Sequence, residues 1–136
     1  MEIQNFEDVY ERYRSQDEFS PQRARFEKRI RAVYPILEDL ARERELITYG
    51  DLAERANTDR RRYLSLVLGA ITRMEHRENK PPLSVVVVQS SSRIPSDGFF
   101  ELMRDLRIDQ KYDPATDEEL YEEIRSDVYD FWASQA

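Results

Sequence analysis

The sequence predicts an α+β chain that is mostly helical. Apolar residues recur at three- and four-residue steps through most of its 136 positions, a single β-branched run interrupts them, and only 3 glycines are present. Helical faces require that spacing, and a buried strand accounts for that kind of run.

The first helix is expected from Asn5 to Arg14, where Phe6, Val9, Tyr10 and Tyr13 share a face. Ser20 then stands as an N-cap, with Pro21 at the first helical position of a longer helix. Its Phe26, Ile30, Val33, Leu37 and Leu40 alternate steps of four and three through Glu43. Pro35 lacks a backbone donor, so this helix is expected to kink near Arg31 to Tyr34 or to split. A new element begins at Ile47. Thr48 can cap a short helix ending near Ala56-Asn57, and Thr58-Asp59 can cap a longer one from Arg60 to about Arg77. The longer helix places Tyr63, Leu66, Val67, Ala70, Ile71 and Met74 on one stripe and leaves Arg60, Arg61, Arg73 and Arg77 largely outside it. Two capped helices joined by a tight turn form a helix-turn-helix pattern. Leu83 to Val88 then reads as a buried strand, and the polar loop Gln89 to Asp97 as the tip of a β-wing. Further helices are expected over Glu101 to Arg107 and after a cap at Asp113-Pro114-Ala115-Thr116; the last carries Leu120, Ile124, Val128, Phe131 and Trp132.

The expected organisation is one domain over 1–136: a winged helix-turn-helix core at about 47–78, a strand or small β-ribbon at about 83–97, and flanking helices at 5–45 and 99–134. Its core should draw on Phe26, Ile30, Val33, Leu37, Leu66, Val67, Ile71, Val85, Val87, Leu120, Ile124 and Trp132. Without cysteine there is no disulfide, thiolate zinc site or cysteine nucleophile. The N-terminal residues lack the basic and apolar regions of a signal peptide, and no apolar run approaches the roughly 18 residues of a membrane span, so a cytoplasmic location without membrane contact is expected. The net charge of −7 counts against a nucleic-acid binder until its distribution is considered. Arg55 to Lys80 carries a net +4, whereas Asp109 to Asp130 carries a net −7. Only 3 of the 21 basic residues are lysine, a bias that fits a GC-rich or salt-adapted source and accounts for part of the acidity without any function.

The segment Ile47-Thr48-Tyr49-Gly50-Asp51-Leu52-Ala53, followed by a basic helix, Pro82-Leu83 and a valine-rich run, resembles the winged-helix domain of O6-alkylguanine DNA alkyltransferases and alkyltransferase-like proteins. The resemblance covers roughly Leu46 to Val88. It implies that Tyr49 opens the first helix of a DNA-binding unit and that the arginine-bearing helix enters the minor groove. Pro82-Leu83-Ser84-Val85 stands where that family has its Pro-Cys-His-Arg acceptor stretch, so repair chemistry is not implied. From Ile47 to Leu106 the chain is also similar to uncharacterised small bacterial and phage-associated proteins with a Leu-Val-Val strand and a Pro-Gly-x-Gly-Phe turn. Ser96 replaces the first glycine of that turn, and no activity transfers.

Arg60, Arg61 and Arg62 open the predicted recognition helix, where arginine can bind both phosphate and base edges. Tyr49, Arg73 and Arg93 complete the candidate nucleic-acid-binding set, with Ser90, Ser91 and Ser92 offering hydrogen bonds beside Arg93. An ordinary solvated face or a polar hairpin tip also accounts for these residues. His76, the single histidine, reads as a surface residue without a second metal ligand. Asp117, Glu118, Glu119, Glu122 and Glu123 spread over a solvated helix face and suit the dipole of its first turn. No glycine-rich phosphate loop and no triad setting are present, so no catalytic residue, cofactor or metal is expected. The expected function is non-catalytic binding of double-stranded DNA. The alternative is a protein-interaction or accessory subunit of a phage or defence system, or a homo-oligomer. It would keep the winged-helix shape without binding DNA and dock through its acidic helix and exposed Tyr121 and Tyr129.

Overall fold

The computed structural model describes residues 5–14, 22–58, 62–113 and 116–135, apart from the side chains of Arg14 and Arg62. The expected aromatic face builds α1 (Phe6–Arg14). Phe6, Tyr10 and Tyr13 surround the ring of Phe26 at centroid distances of 6.4, 6.2 and 5.5 Å, which fastens α1 onto the next helix. That helix, α2 (Arg23–Arg42), runs unbroken through Pro35. The expected split does not occur because Phe26, Ile30 and Val33 before the proline and Leu37, Leu40 and Ala41 after it are buried along one core-facing side. One missing donor costs less than separating either half from the core. Ser20 and Pro21 lie outside the described residues, and the observed N-cap, Gln22, makes no side-chain capping bond.

The short strand β1 (Ile47–Thr48) leads directly into α3 (Tyr49–Arg55), whose Asp51 amide donates to Thr48 Oγ1 at 3.2 Å, as a capping threonine should. Asn57, at φ 53°, ends α3 in the left-handed conformation, with the Thr58 amide donating back to Ala53 O at 2.9 Å. Then follows α4 (Arg62–Arg77). Its buried side comprises Tyr63, Leu64, Val67, Leu68, Ala70, Ile71 and Met74, whereas Leu66, expected in the core, is only partly buried.

The stretch read as a six-residue strand divides. Leu83–Val86 is a 3-10 turn, with the Val85 amide donating to Pro82 O at 3.2 Å, and only Val87–Val88 form β2. A continuous apolar run reports burial without reporting backbone conformation, which is why sequence pattern misjudged it. Strand β2 pairs in parallel with β1, Ile47 opposite Val87 and Thr48 opposite Val88, so this sheet is not the expected hairpin. The following residues close a tight loop in which the Gln89 amide donates to Ile94 O at 2.9 Å.

Helix α5 (Asp97–Asp105) starts earlier than expected, and a second 3-10 turn, Ile108–Lys111, leads towards α6 (Asp117–Ala133). Thr116 caps α6 by accepting from the Glu119 amide at 3.1 Å. The architecture is therefore α+β and mostly helical, with one small parallel sheet. Phe26, Ile30, Leu37, Leu64, Ile71, Leu83, Phe100, Met103 and Ile124 are fully buried in a shared apolar cluster lined by α2, α4, α5, α6 and the first 3-10 turn. Among the described residues, no helix is long and apolar enough to cross a membrane.

Candidate nucleic-acid interface

The sequence places Arg60, Arg61 and Arg62 between the end of α3 and the start of α4. Arg60, Arg61 and the side chain of Arg62 lie outside the described residues. Beside the end of α3 and the first turn of α4 stands a second group of cations that the sequence reading missed, contributed by α2. Arg29 Nη1 donates to Ala56 O at 3.4 Å, satisfying a carbonyl at the end of α3, and the Arg25 guanidinium lies 5.2 Å from the Tyr63 ring in the first turn of α4. Burial raises the Tyr63 phenol above its ordinary pKa, and Arg25 and Arg29 oppose that rise. Two arginines one helical turn apart therefore flank the entry to α4. The signal was present in the sequence: residues 23–31 hold five cations and one acid, Glu27. It was masked because the apolar period of α2 drew attention to the opposite face. Glu27 is engaged by Arg23 and Arg31, each at 3.2 Å, while Arg25 and Lys28 stand exposed.

The described members of the predicted set do not converge. Tyr49 lines a cleft of about 110 Å³ with Ser65, Thr72, Ser84 and Ser96 on its polar side and Leu68, Phe99 and Leu102 on its apolar side. Its hydroxyl donates to Ser96 Oγ at 3.2 Å and accepts from the Ser96 amide at 3.1 Å, tying α3 to the start of α5. Deeper in, Thr72 donates to Leu68 O at 2.8 Å, so across the 2.7 Å contact Ser84 donates to Thr72. Among the described residues, no carboxylate or imidazole lines this cleft beside Ser84.

Arg93, in the left-handed conformation at φ 62°, lies instead along a groove with Glu45, Asp51, Glu54 and Arg55, where acids offset it. Arg73 lies elsewhere again, beside α1. Eleven residues at 1.5 Å each put it roughly 16 Å along α4 from Arg62. There it hydrogen-bonds the Tyr13 hydroxyl, whose pKa burial raises and Arg73 partly restores. His76, read as a surface residue, is half-buried in that same cleft. Burial and then the charge of Lys111 hold its pKa below the usual histidine value.

Tyr121 and Tyr129, expected to be exposed, are 3% and 7% exposed. Tyr129 donates to Glu45 O at 3.1 Å, and Arg125 covers the Tyr121 ring at 4.9 Å, so both belong to the docking of α6 onto the core. Asp117, Glu118, Glu119, Glu122 and Glu123 do lie along the exposed side of α6. Among the described residues, no three histidine or acidic side chains are grouped to hold a metal ion. Comparison of the chain with protein-family models, curated proteins and solved structures finds no match.

Proposed function

We propose that the chain is a non-catalytic protein that binds double-stranded DNA through the α3–α4 pair, acting as a winged helix-turn-helix in which the closed Gln89–Ile94 loop takes the place of a wing. The observation that carries this reading is the placement of Arg25 and Arg29 against Tyr63 and Ala56. It sets α2 cations beside the end of α3 and the start of α4, between which the sequence carries Arg60, Arg61 and Arg62, in a chain whose overall charge is −7. Concentrating cations at one helix entry makes sense for phosphate contact, since cations in a first helical turn oppose the helix dipole. The C-terminal end of α6 docks at the far end of α2, where Asp130 accepts from Arg44 at 2.8 Å and Arg42 lies over Trp132 at 5.4 Å, roughly 25 Å of helix from Arg25.

Fluorescence anisotropy of a labelled mixed-sequence duplex tests this reading. Binding should weaken steeply with salt, and each lost phosphate contact should reduce the slope of log K against log salt by about 0.9. The double variant Arg25→Ala/Arg29→Ala and the triple variant Arg60→Ala/Arg61→Ala/Arg62→Ala should each weaken binding about tenfold or more. Absence of binding at low salt, or binding unchanged in both variants, overturns the assignment. The rival reading as an interaction module retains the acidic face of α6 but loses its two tyrosines to the core.

A further inference from the structure

Two routes connect the buried carboxyl of Glu75 in α4 to the last turn of α6. Its Oε1 accepts from the Tyr34 hydroxyl of α2 at 2.6 Å, and the ring of that tyrosine stands edge-on to Trp132, with 6.4 Å between centroids. The second route runs through Lys80, whose amide donates to Glu75 O at 2.9 Å and whose Nζ lies 6.0 Å from the centre of the Trp132 ring. The other charged groups acting on Glu75 are Glu38 of α2, held by Arg42 at 3.5 Å, and Glu78, which accepts from Asn5 at 2.8 Å. Lys80 is the one cation in this set, and α6 adds no charge to it. Charge also steadies the end of α6. Its last turn carries no basic residue, so the cations that favour a helix C-terminus come from elsewhere: Arg42 over Trp132 at 5.4 Å, Arg44 on Asp130 at 2.8 Å, and Lys80. A helix end held by a few side chains opens at far lower cost than the core.

We propose that the last turn of α6 is a proton-gated latch, closed on Tyr34 and Lys80 while Glu75 is protonated and released when Glu75 ionises. A neutral Glu75 needs no counter-ion, and Lys80 stays on Trp132. An ionised one is a buried charge with a single hydrogen bond, since its Oε2 has no partner among the described residues. Such a charge must gain a cation or water. Lys80 turning towards it leaves the Trp132 ring, and opening of the last turn of α6 admits water to the carboxylate. Burial pushes the Glu75 pKa up to about 7, so the latch is closed below neutrality and loosens as pH rises through it. The inference is independent of the DNA reading because it uses none of the residues placed at that corner.

Trp132 is the only tryptophan, so its fluorescence reports the latch directly. Emission and quenching by acrylamide are followed at constant ionic strength from about pH 5 to about pH 8, with far-UV circular dichroism recorded alongside. The emission should move to the red and the quenching constant should rise about twofold or more across this range while the helical signal is retained. Glu75→Gln should keep Trp132 protected throughout. Lys80→Met should move the transition to higher pH, because Lys80 favours the charged carboxylate. His76→Gln, which removes the neighbouring imidazole, should leave the transition in place. Quenching of the unmodified protein that is flat across the range overturns the proposal whatever the variants do. So does a transition that persists in Glu75→Gln, one that disappears in His76→Gln, or one that coincides with loss of the whole helical signal.

Discussion

Glu75 occupies a place that few carboxylates tolerate. It is 2% exposed in α4, its Oε1 accepts from the Tyr34 hydroxyl at 2.6 Å, and its Oε2 is buried with no hydrogen-bond partner among the described residues. Burial dominates and pushes its pKa up to about 7, with the Tyr34 hydrogen bond and Lys80 opposing the rise. The ordinary value near 4.5 applies to the unfolded chain, so between about 4.5 and about 7 the folded state binds more protons. Stability contributed by this residue therefore falls as pH rises through that window and stays low above it, a loss on the order of 3 kcal/mol. Glu75→Gln should remove the dependence. Denaturant melts of the two proteins should diverge between pH 5 and pH 8 in favour of the variant, and a difference constant across that range would refute this account. Tyr34→Phe should act oppositely, raising the Glu75 pKa further by removing the donor to its charged form.

At the scale of elements, the junction of α1 with α4 depends on a missing side chain. A Cβ on Gly69 would stand 2.6 Å from Tyr13 Oη, too close for either group to remain in place. Alanine ordinarily stabilises a helix interior by about 1 kcal/mol over glycine, whereas forcing atoms into a packed site costs about 1 to 3 kcal/mol. Tyr13 is 5% exposed and bonded to Arg73, so it has little room to retreat. Gly69→Ala should therefore be destabilising by about 1 kcal/mol despite the better helix former, with faster amide exchange confined to α1. Slower exchange in α1 and a higher melting temperature would show that Tyr13 moves aside freely. The elements that sequence pattern identified well were those whose signals are local: the Thr48 and Thr116 caps and the stripes of α2 and α6. The first 3-10 turn was not legible, because all of Leu83–Val86 is buried and no alternation remains to distinguish one backbone form from another.

For the whole molecule, charge sets the response to salt. The ion pairs Arg23–Glu7, Arg44–Asp130, Arg77–Asp8 and Arg104–Asp117, which join separate elements, have largely exposed partners, so each contributes little. Self-repulsion from a net charge of −7 acts on the entire fold and is relieved by screening. Raising sodium chloride from about 0.02 M to about 1 M should therefore raise the thermal unfolding midpoint, read by circular dichroism. A falling midpoint would mean that the ion pairs hold more of the structure than their exposure suggests.

Periodicity alone determined which faces of α1 and α2 turn inward and most of the inward stripes of α4 and α6, since an apolar stripe has one low-energy orientation against a core. The clustering of Arg60, Arg61 and Arg62 at the start of α4 is likewise a property of the chain order. Tertiary structure decided what distant segments share. It brought Arg25 and Arg29 of α2 to the start of α4, and it set Arg73 and His76 beside Arg12 rather than beside Tyr49 or Arg93. It also turned Tyr121 and Tyr129 into core residues by laying α6 along α2 and the first 3-10 turn. Sequence spacing fixes only the neighbours of a residue along its own helix, whereas the rotation and crossing of helices follow from how their ridges pack together.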